Sequence, residues 1–324
     1  MTPRITFDPI DAADALTRGD VVAFPTETVY GLGAHIGHPD AVARIFSIKG
    51  RPQHHPLIVH GADARLLDRY GSHVSNDAYL LAESFWPGPL TIIVERSREV
   101  PDVVTGGQPT VGLRVPDHIL AREMLLAVNA GVAAPSANLF GRISPTTAAH
   151  VAHDLAGAIP LILDGGASEV GVESTIIDLT GETPTVLRLG GISAETLAAV
   201  LGKDVNGTPT GPARAPGMLA AHYAPRATLR IATMQTLASV ISEYDLSTAR
   251  VAVLGTPDAV ALPSGVLSLT PRGTSASDFA HDLYLLMRAA DDAGTTALIV
   301  LPPQGDGIAA AVRDRLERAA QAHS

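Results

Sequence analysis

Eight short apolar runs rich in β-branched residues lie between Asp20 and Gly190 and constrain the fold most. They read DVVAFP, PLIVH, LTIIVER, TVGLRVP, GVAAPSAN, IPLILDGG, STIIDLT and TVLRLG, and Gly, Pro or Asp bounds them. Runs of this length and punctuation are typical of strands. Helical spacing occurs at residues 39–48, 119–130 and 146–154. Eight strands with few crossover helices predict a strongly twisted mixed sheet with flanking helices.

The pattern changes after a stretch crowded with Gly, Pro, Thr and Asn, DVNGTPTGPARAPGMLAAHYAPRA, which reads as a linker. Beyond it, the runs LRIA, RVAVLG, VLSLT and ALIVLPP alternate with helical segments, the longest at residues 275–293 and the last from about Gly307. Regular alternation is typical of a parallel Rossmann-like sheet. With 324 residues available, we expect a first α/β domain at 1–202, a linker at 203–226 and a smaller α/β domain at 227–324.

Composition excludes several classes of function. The formal net charge of −10 disfavours strong direct binding to nucleic acid, which depends on Lys and Arg neutralising phosphates. The absence of cysteine removes disulfides, thiolate catalysis and thiolate metal sites. The start of the chain lacks a basic head followed by an apolar run, and no segment reaches about 18 consecutive apolar residues. These features predict a soluble, unprocessed, cytoplasmic chain without a membrane partner.

Standard nucleotide and hydrolase signatures are also missing. There is no GxxxxGK[ST] motif, and GLGAHIG has one residue too many for GxGxxG, so any ATP is bound without a P-loop. No GxSxG elbow or HExxH motif occurs. Three histidines lie near Lys49, but their spacing matches no helix-borne ligand pair, so we expect no protein-bound transition metal.

The first candidate cluster is FPTETVYGLG, which follows the first predicted strand. Thr26, Glu27, Thr28 and Tyr30 place polar groups at the strand end, and two glycines next to them would let the backbone approach a ligand. This predicts one wall of a binding site. A solvated strand end with a turn is the alternative.

The second cluster is KGRPQHHPLIVH, which contains one of only two lysines in the chain. Lys49 and Arg51 are two residues apart, with Gly between them and Pro after them, so they cannot share a helical face and are expected on a rigid loop. Such a pair can bind phosphates or a carboxylate. The alternative is a helix C-terminus decorated with cations that favour its dipole.

The third cluster is APSANLFGRISPT. It has the composition of a loop whose hydroxyls and amides bind a polar ligand, and its polar members are Ser136, Asn138, Arg142, Ser144 and Thr146. A helix cap for the segment after Pro145 is an equal alternative.

Two further features are weaker evidence for a binding site when each is taken alone. GVESTIIDL places Glu173, Ser174 and Thr175 at the start of a strand. Arg114 and Arg188 each lie on an apolar strand, where a paired structural charge is the commoner role.

Read in order, eight motifs resemble the YrdC-like domain of threonylcarbamoyl-AMP synthases: PTETVYGLG, KGRP, PLIVH, GLRVP, APSAN, ISPT, ESTI and LRLG. PGMLAAHYAP resembles the linker of that family, and LYLLMRAADDAG with RDRLERAA resembles the C-terminal domain of its longer members. The resemblance implies a nucleotidyltransferase that forms threonylcarbamoyl-AMP and pyrophosphate from L-threonine, bicarbonate and ATP. The product would serve N6-threonylcarbamoyladenosine (t6A) formation at position 37 of tRNA.

The resemblance also implies site residues. Lys49 and Arg51 would be catalytic. L-threonine would lie near Thr28, His60, Arg114, the Ala134 backbone and Ser174. ATP would be bound by Lys49, Arg51, His55, Thr110, Ser136, Ser144, Arg188 and Tyr223, with Tyr223 on a linker that closes as a lid. Mg²⁺ would arrive with ATP, no organic cofactor is implied, and a tRNA threonylcarbamoyl transferase complex would receive the product.

Five positions depart from the pattern of the family. His55 replaces a common Asn, Phe140 and Ala215 each replace a Ser, Ala221 replaces a Lys, and Asp314 replaces an Asn. Because Ala221 lies in the expected lid, lid closure is the feature that these departures affect. None of them falls on Lys49, Arg51 or Ser174.

Two other functions remain open from the residues. Related YrdC-like domains occur in hydrogenase maturation factors, which suggests a carbamoyl-transfer enzyme, but the zinc-finger cysteines expected there are absent. A non-catalytic RNA-binding protein is the second alternative, and the net charge opposes it.

Overall fold

The computed structural model describes residues 2–207, 216, 222–256 and 261–322. The chain divides into two compact units. The first unit comprises Met1–Phe140, Ser144–Glu169 and Glu173–Met218, and the second comprises Gly141–Ile143, Val170–Val172 and Leu219–Ser324. Most of the predicted linker at 203–226, including Ala215 and Ala221, lies outside the described residues. The predicted domain bounds therefore stay a prediction.

The described part of the first unit contains eleven strands and eight helices. The strands are β1 (Arg4–Thr6), β2 (Val22–Phe24), β3 (Gly31–His35), β4 (Ile58–His60), β5 (Gly71–Ser72), β6 (Leu90–Arg96), β7 (Thr110–Arg114), β8 (Val132–Ala134), β9 (Leu161–Leu163), β10 (Thr175–Asp178) and β11 (Thr185–Arg188). The helices are α1 (Pro9–Thr17), α2 (Pro39–Lys49), α3 (Arg65–Tyr70), α4 (Asn76–Phe85), α5 (Asp102–Thr105), α6 (Ile119–Val128), α7 (Ala148–Asp154) and α8 (Ala194–Leu201).

All eleven strands form one mixed sheet. Its order is β1-β9-β2-β3-β8-β4-β7-β6-β10-β11, with β5 paired to β6. The sheet contains both parallel pairs, such as β4 with β7, and antiparallel pairs, such as β6 with β7. The predicted mixed sheet is confirmed, and each of the eight apolar runs forms a strand. Eight helices accompany the sheet.

Both faces of the sheet are buried. Val22 and Phe24 of β2 pack with α1 and α6 on one face, whereas Ala23 belongs to the larger core on the other face. Alternate side chains of a strand point to opposite faces, which explains this division. Burial on both faces also explains why the strands are apolar throughout rather than alternating.

The second unit contains a smaller, wholly parallel sheet. Its elements are β12 (Thr228–Ile231), α9 (Leu237–Ser242), β13 (Val251–Leu254), β14 (Leu267–Leu269), α10 (Ala276–Asp292), β15 (Ala297–Val300) and α11 (Ile308–Gln321). The strand order is β12-β15-β13-β14. A capping box between Ser275 and Asp278 starts α10. The predicted parallel α/β domain is confirmed.

Among the helices of the described ranges, none is long and apolar enough to cross a membrane.

Candidate active site

Two buried polar side chains lie next to each other at the ends of parallel strands. His60 ends β4 and Arg114 ends β7, and the two residues are paired in the register of these strands. Both are almost fully buried. Carboxyl ends of parallel strands form the usual ligand-binding edge of an α/β sheet. Two residues assigned to L-threonine by resemblance are therefore brought together.

The segment after β2 supplies the first predicted wall. The Thr26 hydroxyl accepts hydrogen bonds from the backbone N–H groups of Thr28 and Val29, and lies 2.9 Å from the Thr28 hydroxyl. This turn buries Glu27, whose Oε1 lies 2.7 Å from Nη2 of Arg114. The segment is buried, so the alternative of a solvated strand end is wrong.

His60 is held in its neutral form. Burial lowers the pKa of His60 to about 3, and the nearby Arg114 cation contributes to this lowering. The ring packs edge-on against Phe24, with ring centroids 5.8 Å apart. Its Nδ1 atom is buried and makes no hydrogen bond within the described residues. A neutral imidazole can accept or donate a hydrogen bond, depending on its tautomer.

Lys49 is the last residue of α2. The helix ends at Gly50, which has φ 63° in the left-handed region that glycine favours. The Lys49 side chain is buried, and its Nζ donates hydrogen bonds to the carbonyl oxygens of Ser136, at 2.6 Å, and Asn138. Burial lowers the pKa of Lys49 well below its usual value, and the Arg51 cation lowers it further. Lys49 thus lies in the last turn of a helix, as the alternative has it, but its ammonium is buried.

Arg51 follows directly on the turn, and only this residue of the pair lies on the predicted loop. Its Nη2 donates to the Pro56 carbonyl at 3.0 Å, and its guanidinium lies 5.9 Å from the centroid of the Phe140 ring. His55 packs against the same ring, at 5.6 Å between centroids. Burial and the Arg51 cation lower the pKa of His55 to about 4. Phe140 and His55, both departures from the family pattern, therefore contact each other beside Arg51.

Ser174 contacts residues of two strands, β6 and β11. Its hydroxyl lies 2.8 Å from the Thr91 hydroxyl and accepts a hydrogen bond from Nη2 of Arg188 at 2.9 Å. Arg188 also donates from Nε to the Ser174 carbonyl and from Nη1 to the Pro216 carbonyl. Arg188 is thus anchored by hydrogen bonds to Ser174 and to the Pro216 carbonyl.

The third cluster contains buried polar side chains and leads directly into α7. The Ser144 hydroxyl donates to Oε1 of Glu173 at 2.6 Å, and both residues are buried. Thr147, rather than the residues before it, caps α7 by accepting from the His150 N–H. Ser136 pairs with Gly31 in an isolated bridge. The cap of α7 therefore lies one residue beyond the third cluster.

Thr110 and Thr91 line one small cleft in the first unit. Pro56, Gln108 and Pro216 also line it. The Pro56 carbonyl accepts a hydrogen bond from Arg51, and the Pro216 carbonyl accepts one from Arg188. The cleft lined by Thr110 therefore includes the hydrogen-bond partners of two predicted ATP-binding arginines.

Tyr223 belongs to the second unit. It has a positive φ of 62°, and its buried ring stacks on Tyr284 at 6.0 Å, with the Arg315 guanidinium 5.2 Å from its centroid. Asp314, another departure from the family pattern, forms an ion pair with Arg315 at 2.6 Å. The role of Tyr223 in closing over a nucleotide stays a prediction.

The two glycines after the first wall serve packing rather than ligand approach. A Cβ on Gly33 would lie 2.8 Å from the Phe24 ring and 2.8 Å from Val132, and a Cβ on Gly31 would also meet Phe24. The prediction that they admit a ligand is corrected, because the Phe24 ring fills this space. Gly190 instead allows a close approach between two backbone segments. A Cβ there would lie 2.3 Å from the backbone nitrogen of Thr175.

Sequence reasoning missed Thr91 and left Glu27 outside the assigned site residues. Thr91 lies in the apolar run LTIIVER, where nothing distinguishes a site residue from a strand hydroxyl. The assignment of the other residues to L-threonine and ATP stays a prediction. Among the described residues, no group of three or more Asp, Glu or His side chains is placed to hold a metal ion.

Known proteins similar to this chain share both of its units. A family model described as "Telomere recombination" matches residues 14–190, and one described as "Threonylcarbamoyl-AMP synthase, C-terminal domain" matches residues 192–321. Threonylcarbamoyl-AMP synthase of Pyrococcus abyssi is 39% identical over 95% of this chain and 92% of its own length. That of Bacillus subtilis is 40% identical, with the same coverage.

A crystal structure of P. abyssi Sua5 complexed with L-threonine is also similar. It has a TM-score of 0.89 and 37% identity, and the match covers 97% of this chain and 94% of that one. Fold and site define a two-unit α/β protein with buried polar groups at the strand ends. The chain belongs to the threonylcarbamoyl-AMP synthase family of enzymes.

Proposed function

We propose that this enzyme is a nucleotidyltransferase that converts L-threonine, bicarbonate and ATP into threonylcarbamoyl-AMP and pyrophosphate. The observation that carries the proposal is the buried Lys49 ammonium beside Arg51, in a chain related over 95% of its length to synthases of this name. The product supplies t6A formation at position 37 of tRNA.

The first step joins threonine to bicarbonate. The threonine ammonium and bicarbonate give an N-carboxylate, one water molecule and one proton. Arg114 and the His60 ring, paired on adjacent strands, bind the carboxylate and hydroxyl of the amino acid. Both remain oriented because β4 and β7 are hydrogen-bonded to each other.

In the second step, an oxygen of the N-carboxylate attacks the α-phosphorus of ATP, and the bond to the β-phosphate oxygen breaks to release pyrophosphate. Both reactants are anionic, so neutralisation and alignment are the main tasks of the site. Lys49 and Arg51 stabilise the charge on the triphosphate. Arg188 and the hydroxyls of Thr110, Ser136 and Ser144 position the nucleotide.

Mg²⁺ enters this reaction as part of the ATP substrate. It is bound mainly through phosphate oxygens, as is usual where a protein offers few carboxylates for the ion. No organic cofactor is required, because no step needs a covalent carrier.

Selectivity for threonine rests on hydrogen bonds to its hydroxyl group. Thr28 and His60 are the candidates for this contact, since both are buried. His60 is paired with Arg114 in the sheet, and Thr28 follows Glu27, the ion-pair partner of Arg114. A site built to bind a hydroxyl rejects an analogue that lacks it far better than an apolar pocket rejects one methylene. Serine, which keeps the hydroxyl, is the strongest competitor.

The reactive adenylate is handed to a tRNA threonylcarbamoyl transferase complex in the cytoplasm. Transfer between proteins suits an acyl-adenylate, because water would otherwise hydrolyse it.

The proposal is tested by pyrophosphate release from MgATP with bicarbonate and either L-threonine, L-serine or no amino acid. Mass spectrometry identifies the adenylate. Release that needs both threonine and bicarbonate supports the function. ATP turnover that is indifferent to threonine, or none at all, contradicts it.

The same protein sample tests the alternatives. Release that depends on carbamoyl phosphate would favour a carbamoyl-transfer enzyme. Salt-dependent binding of RNA without adenylate formation would favour a non-catalytic RNA-binding protein.

A further inference from the structure

Glu27 carries a buried carboxylate whose hydrogen-bonding capacity is unused. Its side chain is 5% exposed, and neither Oε1 nor Oε2 accepts a hydrogen bond within the described residues. The close approach to Nη2 of Arg114 lacks hydrogen-bond geometry, so it is an ion pair only. A carboxylate offers about four acceptor sites, and leaving them empty in a buried place is costly.

The neighbours of Glu27 share this property. Nη2 of Arg114 makes no hydrogen bond, and Nδ1 of His60, on the adjacent strand, makes none either within the same residues. Glu27, Arg114 and His60 thus present a buried anion, a buried cation and a neutral ring nitrogen, each with unused hydrogen-bonding capacity. This combination is complementary to a zwitterion that also carries a hydroxyl.

The charge of Glu27 identifies which substrate group it binds. Bicarbonate and the phosphates of ATP are anionic, so a carboxylate repels both. The α-ammonium of an amino acid is a cation with three N–H donors, which suits two carboxylate oxygens. We infer that Glu27 binds the α-ammonium of the amino-acid substrate, while Arg114 binds its carboxylate.

A metal ion is the other cation to consider. Mg²⁺ prefers near-octahedral coordination by oxygen ligands. Glu27 instead faces the Arg114 cation at 2.7 Å, which disfavours a second, divalent charge at the same carboxylate. The geometry therefore favours an ammonium.

This inference rests on the proposed function, because it takes L-threonine as the substrate. The test is calorimetric binding of L-threonine and of (R)-3-hydroxybutyrate, which keeps the hydroxyl and carboxylate but lacks the ammonium. Both are measured without ATP, in the absence and in the presence of EDTA, on the full chain and on Glu27→Gln. Asp282→Asn, at a buried carboxylate 3.0 Å from Arg272 in the second unit, is the matched control.

We expect Glu27→Gln to weaken L-threonine binding by about 10- to 100-fold, the usual range for a charge-assisted hydrogen bond. Its affinity for (R)-3-hydroxybutyrate should change by less than about threefold, since charge-assisted contacts to Arg114 persist. Asp282→Asn should leave both affinities unchanged. Fluorescence of Trp86, which lies in the first unit, verifies that Glu27→Gln is folded.

Equal weakening of both ligands would overturn the inference, because it would mean that Glu27 only orients Arg114. Unchanged threonine affinity in folded Glu27→Gln would also overturn it, as would threonine binding to the unaltered chain that is lost with EDTA. If the unaltered chain binds no L-threonine at all, the proposed function fails together with the inference. Binding by the unaltered chain with no difference in Glu27→Gln sinks the inference alone.

Discussion

Replacing Lys49 by Met tests whether the buried ammonium acts on the reaction rather than on the fold. Methionine has a similar length and no charge. The substitution removes the two hydrogen bonds from Nζ to the carbonyl oxygens of Ser136 and Asn138. It also removes an ammonium whose lowered pKa shows that burial disfavours its charge.

These two effects on stability oppose each other. Each carbonyl oxygen left without a donor costs about 1–3 kcal/mol. Relief of the buried charge returns several kcal/mol, which is why apolar replacement of buried ions is often neutral. We expect a net change within about 2 kcal/mol, or about 4–8 °C in Tm for a unit of this size. The rate should instead fall by about 10²- to 10³-fold, the usual effect of removing one preorganised electrostatic group.

The assay is threonine-dependent pyrophosphate release, with unfolding followed by the fluorescence of the single tryptophan, Trp86. Lys203→Met is the matched control, because it removes the other lysine of the chain. Lys203 is half-exposed and paired with Asp77 at 2.7 Å, and a pair of this kind contributes about 0–1 kcal/mol. Pyrophosphate release by Lys49→Met within about threefold of the unaltered chain would refute the reasoning.

Three further results are expected. Carbon-13 labelling of the lysine ε-carbon gives one NMR signal for each of the two lysines. The titration of the Lys49 signal should show a pKa below the usual 10.5, and this pKa should rise when ATP binds. A titration at 10.5 or above would contradict this. The pKa of His60, lowered from 6.5 to about 3, means that the unfolded chain binds more protons between these values. The first unit should therefore lose stability as pH falls from about 6.5 to 3, and His60→Gln should make the decline in tryptophan-monitored stability shallower rather than equally steep. Gly190→Ala should lower Tm, because the new Cβ would lie 2.3 Å from a backbone atom and overpacking costs about 1–3 kcal/mol or more. Gly181→Ala is the control, since its Cβ would lie no closer than 3.9 Å to another atom. Equal Tm values for the two variants would count against this steric argument.

The β-branched runs predicted eight strands because packing and propensity agree there. The three missed strands lack that agreement. β1 reads RIT and β5 reads GS, so neither contains an apolar run. β3 reads GLGAH, a poor strand former by composition, and it pairs because its glycines make room for the Phe24 ring. That fit exists only once β2 and β3 are side by side.

Sequence groups candidate site residues where a motif places them close together along the chain. Lys49 and Arg51 are two residues apart, and their shared chemistry is visible in one segment. The pairing of Glu27 with Arg114 joins residues far apart in sequence, so only the fold reveals it. The burial of Lys49 is likewise a tertiary property, since a helix end alone predicts exposure. Sequence therefore supplied the groups, and the sheet supplied their partners.

The second unit is discontinuous in sequence, and this affects how the chain can be cut. It includes Gly141–Ile143, where the Gly141 carbonyl accepts from the Ala224 N–H and the Ile143 carbonyl accepts from Arg288. A fragment ending at residue 202 keeps both carbonyls and loses both donors. In that fragment, the carbonyl oxygens of Gly141 and Ile143 would therefore lack these hydrogen-bond donors. A circular permutant retains every such donor, and is the safer way to move the termini.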